Sequence, residues 1–423
     1  MDKISKNIVL LPYKDNRGER MNDAKIEVRN VTKVFGKSPM QGVKMLNEGL
    51  SKKQILEKTG MTVGVNKASF EVRSGEIFVI MGLSGSGKST LVRMFNRLID
   101  PTDGQVLIDG QDIVKMKPNE LREVRRSKIS MVFQRFALFP HRTVLSNTEY
   151  GLEVKGEEQK KQREKALVAL KLVGLEGYEN SYPSELSGGM QQRVGLARAL
   201  ANDPDVLLMD EAFSALDPLI RKDMQNELLE LQEKMEKTII FITHDLDEAL
   251  RIGDRIALMK DGSIVQVGTP EEILMNPAND YVERFVEDVD LSKVLTAAHV
   301  MKRPEKILAD RGLRVALQIM KDAGISSLYV VDKKQKLVGA ITAQDAADAL
   351  KNNQSKIEDI MIRDLQTVSP DTLLSDMFEQ VATASLPVAV IDEEERLKGI
   401  IVRGAVLAAL AGDDIQLNGN EVK

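Results

Sequence analysis

A glycine-rich segment at residues 82–90, GLSGSGKST, has the residue types and spacing of a phosphate-binding loop. The apolar stretch IFVIM precedes it and LVRMFNRL follows it, which indicates a buried strand leading in and a helix leading out. Its glycines allow consecutive N–H groups to surround a β-phosphate, Lys88 can bridge the β- and γ-phosphates, and Ser89 can ligate Mg²⁺. The residues predicted to bind a nucleoside triphosphate are Gly82, Ser84, Gly85, Ser86, Gly87, Lys88, Ser89 and Thr90.

Two carboxylates at the end of another apolar stretch could complete a hydrolytic centre. VLLM at 206–209 is typical of a buried strand, and Asp210 and Glu211 follow it. Because ligands bind at the carboxyl ends of parallel strands, both side chains should reach the phosphate loop. Asp210 can hold the metal shell, and Glu211 can act on the attacking water as a general base or a water-orienting group. The alternative is an acidic strand end that only faces solvent.

Two more polar residues follow apolar stretches in the same way. His244 follows TIIFIT, and Gln134 follows ISMVF. His244 could bond the γ-phosphate and hold Glu211 and the water in line, whereas His141 and His299 lack such placement and are interpreted as structural. The Gln134 amide could contact the metal or the water. The predicted catalytic residues are Lys88, Gln134, Glu211 and His244, and the predicted Mg²⁺ ligands are Ser89, Gln134 and Asp210.

A second candidate anion-binding turn lies at 186–192, LSGGMQQ. Ser187, Gly188 and Gly189 offer a hydroxyl and N–H groups, and a helix beginning near Met190 would add the positive end of its dipole. One nucleotide site does not need two such turns, and the residues alone do not say which nucleotide the second turn serves.

The elements that must position these residues alternate between strand and helix from about 25 to 285, which favours a parallel sheet with crossover helices. Stretches 26–35 and 65–73 are predicted to be antiparallel strands. The segment 37–64 between them is predicted to be an insert of two short helices. Residues 1–24 form a polar leader.

Composition limits the classes of function. The chain has 423 residues, a net charge of −5 and no cysteine, which excludes disulfides and thiolate metal sites and does not favour nucleic acid. No run approaches the roughly 20 apolar residues of a membrane span.

Residues 290–350 and 351–411 form an internal repeat. Val330, Val331 and Asp332 recur sixty positions later as Val390, Ile391 and Asp392. Each unit is predicted to be helix, strand, turn, strand, helix, and the two units should pair. An acidic polar tail follows at 412–423.

The turn between the two strands differs in charge between the repeats. Lys333, Lys334 and Lys336 in the first repeat correspond to Glu393, Glu394 and Arg396 in the second. Either both tips are simply solvated, or the basic tip contacts an acidic surface such as anionic lipid or the acidic tail, more weakly as salt rises.

Residues 25–285 resemble the ATP-binding cassette (ABC) ATPases, with every motif in the family's order. The resemblance implies an α/β P-loop NTPase domain with antiparallel β and helical subdomains, ATP as substrate and Mg²⁺ as cofactor. It also implies that Phe35 stacks on adenine and that a second copy of the chain caps the γ-phosphate head to tail. The residues that would make this contact in trans are Ser187, Gly188, Gly189, Gln191 and Asp217.

A longer resemblance, over the insert and the segments around the motifs, is to the energising subunits of osmoregulatory glycine betaine/proline importers. It implies two copies of a membrane permease, a substrate-binding protein or domain, no nucleic acid, and a peripheral position on the cytoplasmic face of the membrane. The alternatives are a soluble ABC ATPase that is regulated by its C-terminal repeat and not coupled to transport, a cassette ATPase acting on nucleic acid or ribosomes, and a nucleotide sensor with a vestigial ATPase.

The repeat resembles a tandem pair of CBS modules, an α+β fold that follows the ATPase domain. The family's ribose-binding pattern falls on Thr342 and Asp345 in the first repeat, whereas the second has Val402 and Ala405. The resemblance implies regulation by an adenine nucleotide such as cyclic di-AMP, at one half of the pair at most, with a structural or dimerising role as the alternative.

Overall fold

A computed structural model describes residues 24–134, 137–287, 289–352 and 354–410. The described residues form two compact units, one ending at residue 287 and one beginning after it. The predicted acidic tail and nearly all of the predicted leader lie outside the described residues.

The strands described in the first unit are β1 (Ala24–Phe35), β2 (Thr62–Arg73), β3 (Ile77–Met81), β4 (Asp103–Ile108), β5 (Gln111–Asp112), β6 (Ile129–Val132), β7 (Val206–Asp210), β8 (Thr238–Thr243), β9 (Arg255–Lys260) and β10 (Ser263–Gly268). Its helices are α1 (Pro39–Asn47), α2 (Lys52–Thr59), α3 (Lys88–Phe95), α4 (Pro118–Ser127), α5 (Val144–Lys155), α6 (Gln159–Leu172), α7 (Gly188–Ala201), α8 (Pro218–Met235), α9 (Leu246–Ile252), α10 (Pro270–Met275) and α11 (Asp280–Val286).

The central sheet has six strands in the order β10-β9-β3-β8-β7-β6. All neighbours are parallel except β10, which pairs antiparallel with β9. Every residue of β3, β7 and β8 is buried, which explains why these strands are continuous apolar runs. The expected parallel α/β core is therefore confirmed.

A four-stranded antiparallel sheet, β2-β1-β4-β5, carries the insert. The two predicted short helices are present, but β2 begins at Thr62, so the last residues of the predicted 37–64 insert belong to a strand. The insert is fixed by its own small core, in which Val43 and Ile55 pack with Val34 and Val63 of the sheet.

The strands of the second unit are β11 (Lys306–Leu308), β12 (Ser327–Val331), β13 (Leu337–Thr342), β14 (Thr367–Val368), β15 (Val388–Ile391) and β16 (Leu397–Ile401). Its helices are α12 (Ala297–Val300), α13 (Leu313–Ala323), α14 (Ala343–Lys351), α15 (Leu374–Thr383) and α16 (Arg403–Leu410). The strands form two three-stranded sheets. The sequence did not predict β11 and β14, each of which pairs parallel with the next strand of its own repeat.

The two repeats are interlocked. The segment before β11 crosses to the second repeat, where the Lys302 N–H donates to Ile400 O at 2.8 Å. The reciprocal bond runs from the Ile362 N–H to Ala340 O at 2.9 Å. Met301 packs on Gly399 and Met361 on Gly339, where a Cβ atom would lie within 2.6 Å of the methionine side chain. The expected pairing of the repeats is present, and it is an exchange of edges rather than simple docking.

The two turns with opposite charge also meet. The Leu337 N–H donates to Glu395 O at 2.9 Å, and the Leu397 N–H donates to Gln335 O at 3.1 Å. Lys336 Nζ lies 2.9 Å from the Glu395 carboxylate. Lys336 therefore has an acidic partner in the second repeat, while Lys333 and Lys334 remain exposed, and both interpretations of the basic tip stay predictions.

Across the described residues, no helix combines the length and apolar character that a bilayer crossing requires.

Candidate active site

The phosphate loop forms the turn between β3 and α3, and its glycines are required by geometry. Gly82, Gly85 and Gly87 have φ values of 147°, 77° and 105°, a region that favours glycine. A Cβ at Gly82 would lie 2.2 Å from Met259 O, and one at Gly87 would lie 2.3 Å from Gly64 O. The loop is therefore pressed against β9 and β2 and presents its backbone in one fixed shape.

Lys88 is folded over this loop. Its side chain is 4% exposed, and its ammonium donates to Gly82 O at 2.8 Å and Leu83 O at 3.2 Å. Burial lowers the pKa of Lys88, and the carboxylates of Glu211 and Asp210 oppose that shift. The ammonium is thus held where a phosphate seated on the loop would meet it.

Ser89 and Asp210 meet at the first turn of α3. Ser89 Oγ donates to Asp210 Oδ1 at 2.8 Å, and Arg93 Nη2 donates to Asp210 Oδ2 at 3.2 Å. A hydroxyl and a carboxylate are the hard oxygen donors that Mg²⁺ prefers, so the pair fits the predicted ion. Within the described residues, no cluster of three or more His, Cys, Asp or Glu side chains could hold a metal ion. Mg²⁺ usually keeps several waters and takes substrate phosphate oxygens beside one or two protein ligands. Arg93 was missed by the sequence analysis.

Glu211 occupies a strained position next to this pair. Its φ of 47° lies in the left-handed region, which is uncommon for a residue other than glycine and is frequent at functional sites. Its N–H donates to Ile242 O at 3.1 Å, which ties the residue to β8. Its Oε1 atom lies 3.9 Å from Lys88 Nζ and 3.7 Å from His244 Nδ1. The predicted hydrolytic residues are therefore gathered around one carboxylate.

The structure places Gln134 at Glu211 rather than at Ser89 and Asp210, the other predicted metal ligands. Gln134 Nε2 donates to Glu211 Oε2 at 3.0 Å and to Ser214 Oγ at 3.3 Å. None of the described hydrogen bonds joins Gln134 to Ser89 or Asp210. Its role as a ligand of Mg²⁺ stays a prediction, and its contact with the Glu211 carboxylate is the arrangement observed.

Phe35 lies beside the end of the phosphate loop. A Cβ added at Gly64 would lie 2.8 Å from the Phe35 ring and 3.3 Å from Thr90 Cγ2, so the ring and the loop approach the same glycine. Phe35 is 40% exposed, and Lys33 Nζ lies over its ring at 5.1 Å from the centroid. The sequence analysis missed Gly64 because it assigned the residue to the insert. A glycine within a strand pattern is a signal of close backbone approach and could have identified it.

The second candidate anion-binding turn faces solvent. Helix α7 begins at Gly188, earlier than predicted, with Ser187 as its N-cap residue and with both residues exposed. Gly189 is buried against the Ile220 side chain. The Ile220 N–H donates to the exposed Asp217 side chain at 3.1 Å. The Ser187 and Asp217 turns are therefore neighbours. None of the described hydrogen bonds joins either turn to residues 82–90.

The amide of Gln191 is used within its own chain. Its Nε2 donates to Pro183 O at 3.0 Å and to Leu186 O at 3.2 Å, so it braces the segment before Ser187. A contact of Gln191 with a nucleotide in trans stays a prediction.

Comparisons with known proteins agree with this geometry. Residues 65–214 match the ABC transporter family, and residues 297–352 and 357–412 each match the CBS domain. The glycine betaine transport ATP-binding protein OpuAA of Bacillus subtilis is 65% identical over 93% of this chain and 94% of its own length. The glycine betaine/proline betaine transport system ATP-binding protein ProV of Escherichia coli is 55% identical over 91% of this chain and 97% of its own length. The chain belongs to the ABC transporter family.

A solved structure supports the assignment of the ATPase domain. CbiO1 of Clostridium perfringens, part of the ABC transporter complex cbiONQ, superposes with a TM-score of 0.51 and 27% identity over 63% of this chain and 95% of that one. The protein is an ABC-type ATPase, its fold is the P-loop NTPase fold followed by a CBS pair, and ATP is its substrate.

The position of Phe35 predicts a specific effect on ATP affinity. Stacking of an aromatic ring on a base is worth about 1–3 kcal/mol, so Phe35→Ala should raise the Kd for ATP roughly 5- to 150-fold. Phe35→Tyr keeps the ring and should bind ATP as the parent chain does. Titration calorimetry on the full chain measures both values. Equal Kd values for the alanine and tyrosine variants would contradict the assignment.

Proposed function

We propose that the chain is the ATP-hydrolysing subunit of an ABC importer that takes up glycine betaine, or a related solute such as proline betaine or proline, for osmoprotection. The observation that carries the hydrolytic role is the convergence of Lys88, Gln134 and His244 on Glu211, beside the phosphate loop. Among the described residues of the same chain, none of the hydrogen bonds joins the Ser187 turn to this loop. ATP binding and hydrolysis in a head-to-tail dimer would drive the transport cycle.

The side chains divide the hydrolytic work. Lys88 neutralises the β- and γ-phosphates, and Glu211 deprotonates or orients the attacking water while His244 and Gln134 hold its carboxylate in place. Ser89 and Asp210 would hold Mg²⁺, which supplies positive charge to the phosphate oxygens when bound.

A second copy of the chain would complete each site. The exposed Ser187 hydroxyl and the N-terminus of α7, a helix of 14 residues, offer donors and the positive end of a dipole to a γ-phosphate on the partner's loop. Removal of one preorganised donor typically costs about 3 kcal/mol of transition-state stabilisation, so loss of the whole turn should abolish turnover. Gly189 and Asp217 would lie along the same seam.

The proposed solute class is supported by the names of the relatives given above, which cover nearly the whole chain. We place the protein on the cytoplasmic face of the membrane, bound to two permease subunits that work with a substrate-binding protein or domain. A cavity of about 410 Å³ in the first unit is suited to a permease segment. Its lining includes the aromatic side chains of Phe133, Phe139 and Tyr150 and the guanidinium groups of Arg125 and Arg126.

Reconstitution with the permease tests the proposal. Glycine betaine should stimulate ATP turnover in vesicles, and Glu211→Gln should lose turnover while it accumulates as an ATP-bound dimer. Glu230→Gln, which removes an exposed carboxylate from α8, is the matched control and should keep both turnover and stimulation. Turnover that no betaine or proline changes would favour the alternative, a soluble ATPase not coupled to transport.

We infer that the CBS pair regulates this activity through an adenine nucleotide such as cyclic di-AMP. Thr342 Oγ1 donates to Asp345 Oδ2 at 2.6 Å and caps α14, so the two groups lie together at the helix start. The corresponding Val402 and Ala405 have no side-chain group that could bond a ribose.

Calorimetry on the full chain, with ADP saturating the ATP site, should detect heat on addition of cyclic di-AMP. Asp345→Ala should reduce that heat strongly, because it removes the acceptor for a ribose hydroxyl. Ala405→Ser, in the second repeat, is the control and should leave the heat unchanged. Absence of heat with the parent chain would discard this ligand.

We further propose that the exposed tip at Lys333 and Lys334 contacts an anionic membrane surface and makes activity depend on ionic strength. The screening length falls from about 10 Å at 0.1 M salt to about 3 Å at 1 M, so such contacts weaken as internal salt rises. Lys336 is engaged by Glu395 and is left out of this contact.

Charge reversal at the tip should remove the salt threshold of transport in vesicles that contain anionic lipid. The variant is Lys333→Glu with Lys334→Glu. The control reverses two other exposed lysines of the same unit, Lys306 and Lys321, and should keep the threshold. An unchanged threshold in the tip variant would rule out the contact.

A further inference from the structure

Arg221, in the first turns of α8, contacts both of the turns that flank Glu211. Its Nη1 donates to Asp245 Oδ2 at 3.1 Å, and its Nη2 donates to Leu216 O at 3.3 Å. Leu216 immediately precedes Asp217, and Asp245 immediately follows His244. The Arg221 guanidinium therefore links the turn before Asp217, at the proposed seam, to the turn that contains His244.

Glu211 lies between these two turns. Ser214 Oγ, in the first turn, donates to Glu211 O at 2.9 Å. His244, in the second turn, approaches Glu211 Oε1 to 3.7 Å through Nδ1. A shift of either turn relative to the other would therefore change the distance between the histidine and the carboxylate.

Asp245 connects Arg221 to the histidine turn through its hydrogen bonds. Asp245 Oδ1 accepts from the Glu248 N–H at 3.1 Å as the cap of α9, and the Asp245 N–H donates to Thr243 Oγ1 at 3.0 Å. Arg221 occupies the second carboxylate oxygen. Since the forked guanidinium serves two acceptors at once, a lysine ammonium at the same position would not reproduce the geometry.

Two further side-chain bonds link α8 and α9. Gln225 Nε2 donates to Glu248 Oε1 at 3.0 Å, and Arg251 Nη2 donates to Asn226 Oδ1 at 2.7 Å. The Arg251–Asn226 bond touches neither turn, whereas Glu248 is also bonded to Thr243 and Asp245, on either side of His244. Loss of Arg221 should therefore loosen the turns while the helix pair stays packed.

We propose that Arg221 is a positioning residue that keeps His244 in register with Glu211 and makes the histidine turn move together with the seam residue Asp217. The proposal rests on the proposed function, because Asp217 lies at a seam only if two copies meet head to tail.

A double-mutant cycle on the basal ATPase activity of the full chain tests the role. Arg221→Ala should lower kcat on the order of 10- to 100-fold, since a misplacement of about 1 Å can have that effect, while the Kd for ATP stays the same. In a His244→Ala background the same change should lower kcat less than about twofold, because the group that Arg221 positions is gone. Arg221→Lys should recover only part of the activity, and Asp245→Asn should act like Arg221→Ala.

Arg251→Ala is the matched control, because it removes an arginine bond between the same two helices and should leave kcat unchanged. Effects of Arg221→Ala and His244→Ala that multiply would show that Arg221 does not act through the histidine. An equal loss of kcat in Arg251→Ala would reduce Arg221 to a structural link. A raised Kd for ATP would also overturn the proposal.

Failure of the proposed function can be recognised separately. If Glu211→Gln forms an ATP-dependent dimer in light scattering and the cycle is additive, only the role of Arg221 is refuted. If that variant stays monomeric with ATP, the head-to-tail arrangement is refuted, and with it the link to Asp217.

Discussion

The parallel register of β3, β8 and β7 is the constraint on which the site depends. Met81 pairs with Thr243, and Asp210 pairs with Ile242, so the three strands end at the same level. Because these strands are buried on both faces, a slip in register would have to break apolar packing on two sides. The loop, the two carboxylates and the histidine can therefore follow their strands directly and still meet within a few ångströms.

Local motifs with a strand before them were predictable from the sequence. The phosphate loop, Asp210, Glu211 and His244 each follow an apolar run, and parallel pairing brings such positions together. Contacts made across the fold were not predictable. Gly64 contacts Phe35 because β2 starts earlier than its composition indicated. The position of the Gln134 side chain depends on its hydrogen bond to Glu211, 77 residues away in sequence. Strands as short as β11 and β14 carry no periodicity and exist only because a longer neighbour pairs with them.

The chain presents its predicted hydrolytic groups and its candidate second anion-binding turn as separate surfaces. Within one copy, Glu211 is surrounded by partners, whereas Ser187 and Asp217 face outward as helix caps. The positive end of a helix dipole is stabilised less by water than by a bound anion. This division of donors between two surfaces is the physical reason for expecting association to be controlled by nucleotide.

The interlocked repeats have a consequence for how the chain is made. Met301 and Lys302 find their partners only at residues 399 and 400, so the first half of the pair leaves the ribosome with its edge uncovered. Synthesis proceeds at about 5–20 residues per second, so this edge waits for several seconds before its complement emerges. A nascent chain in that interval exposes an unpaired edge that can act as a template for strand pairing.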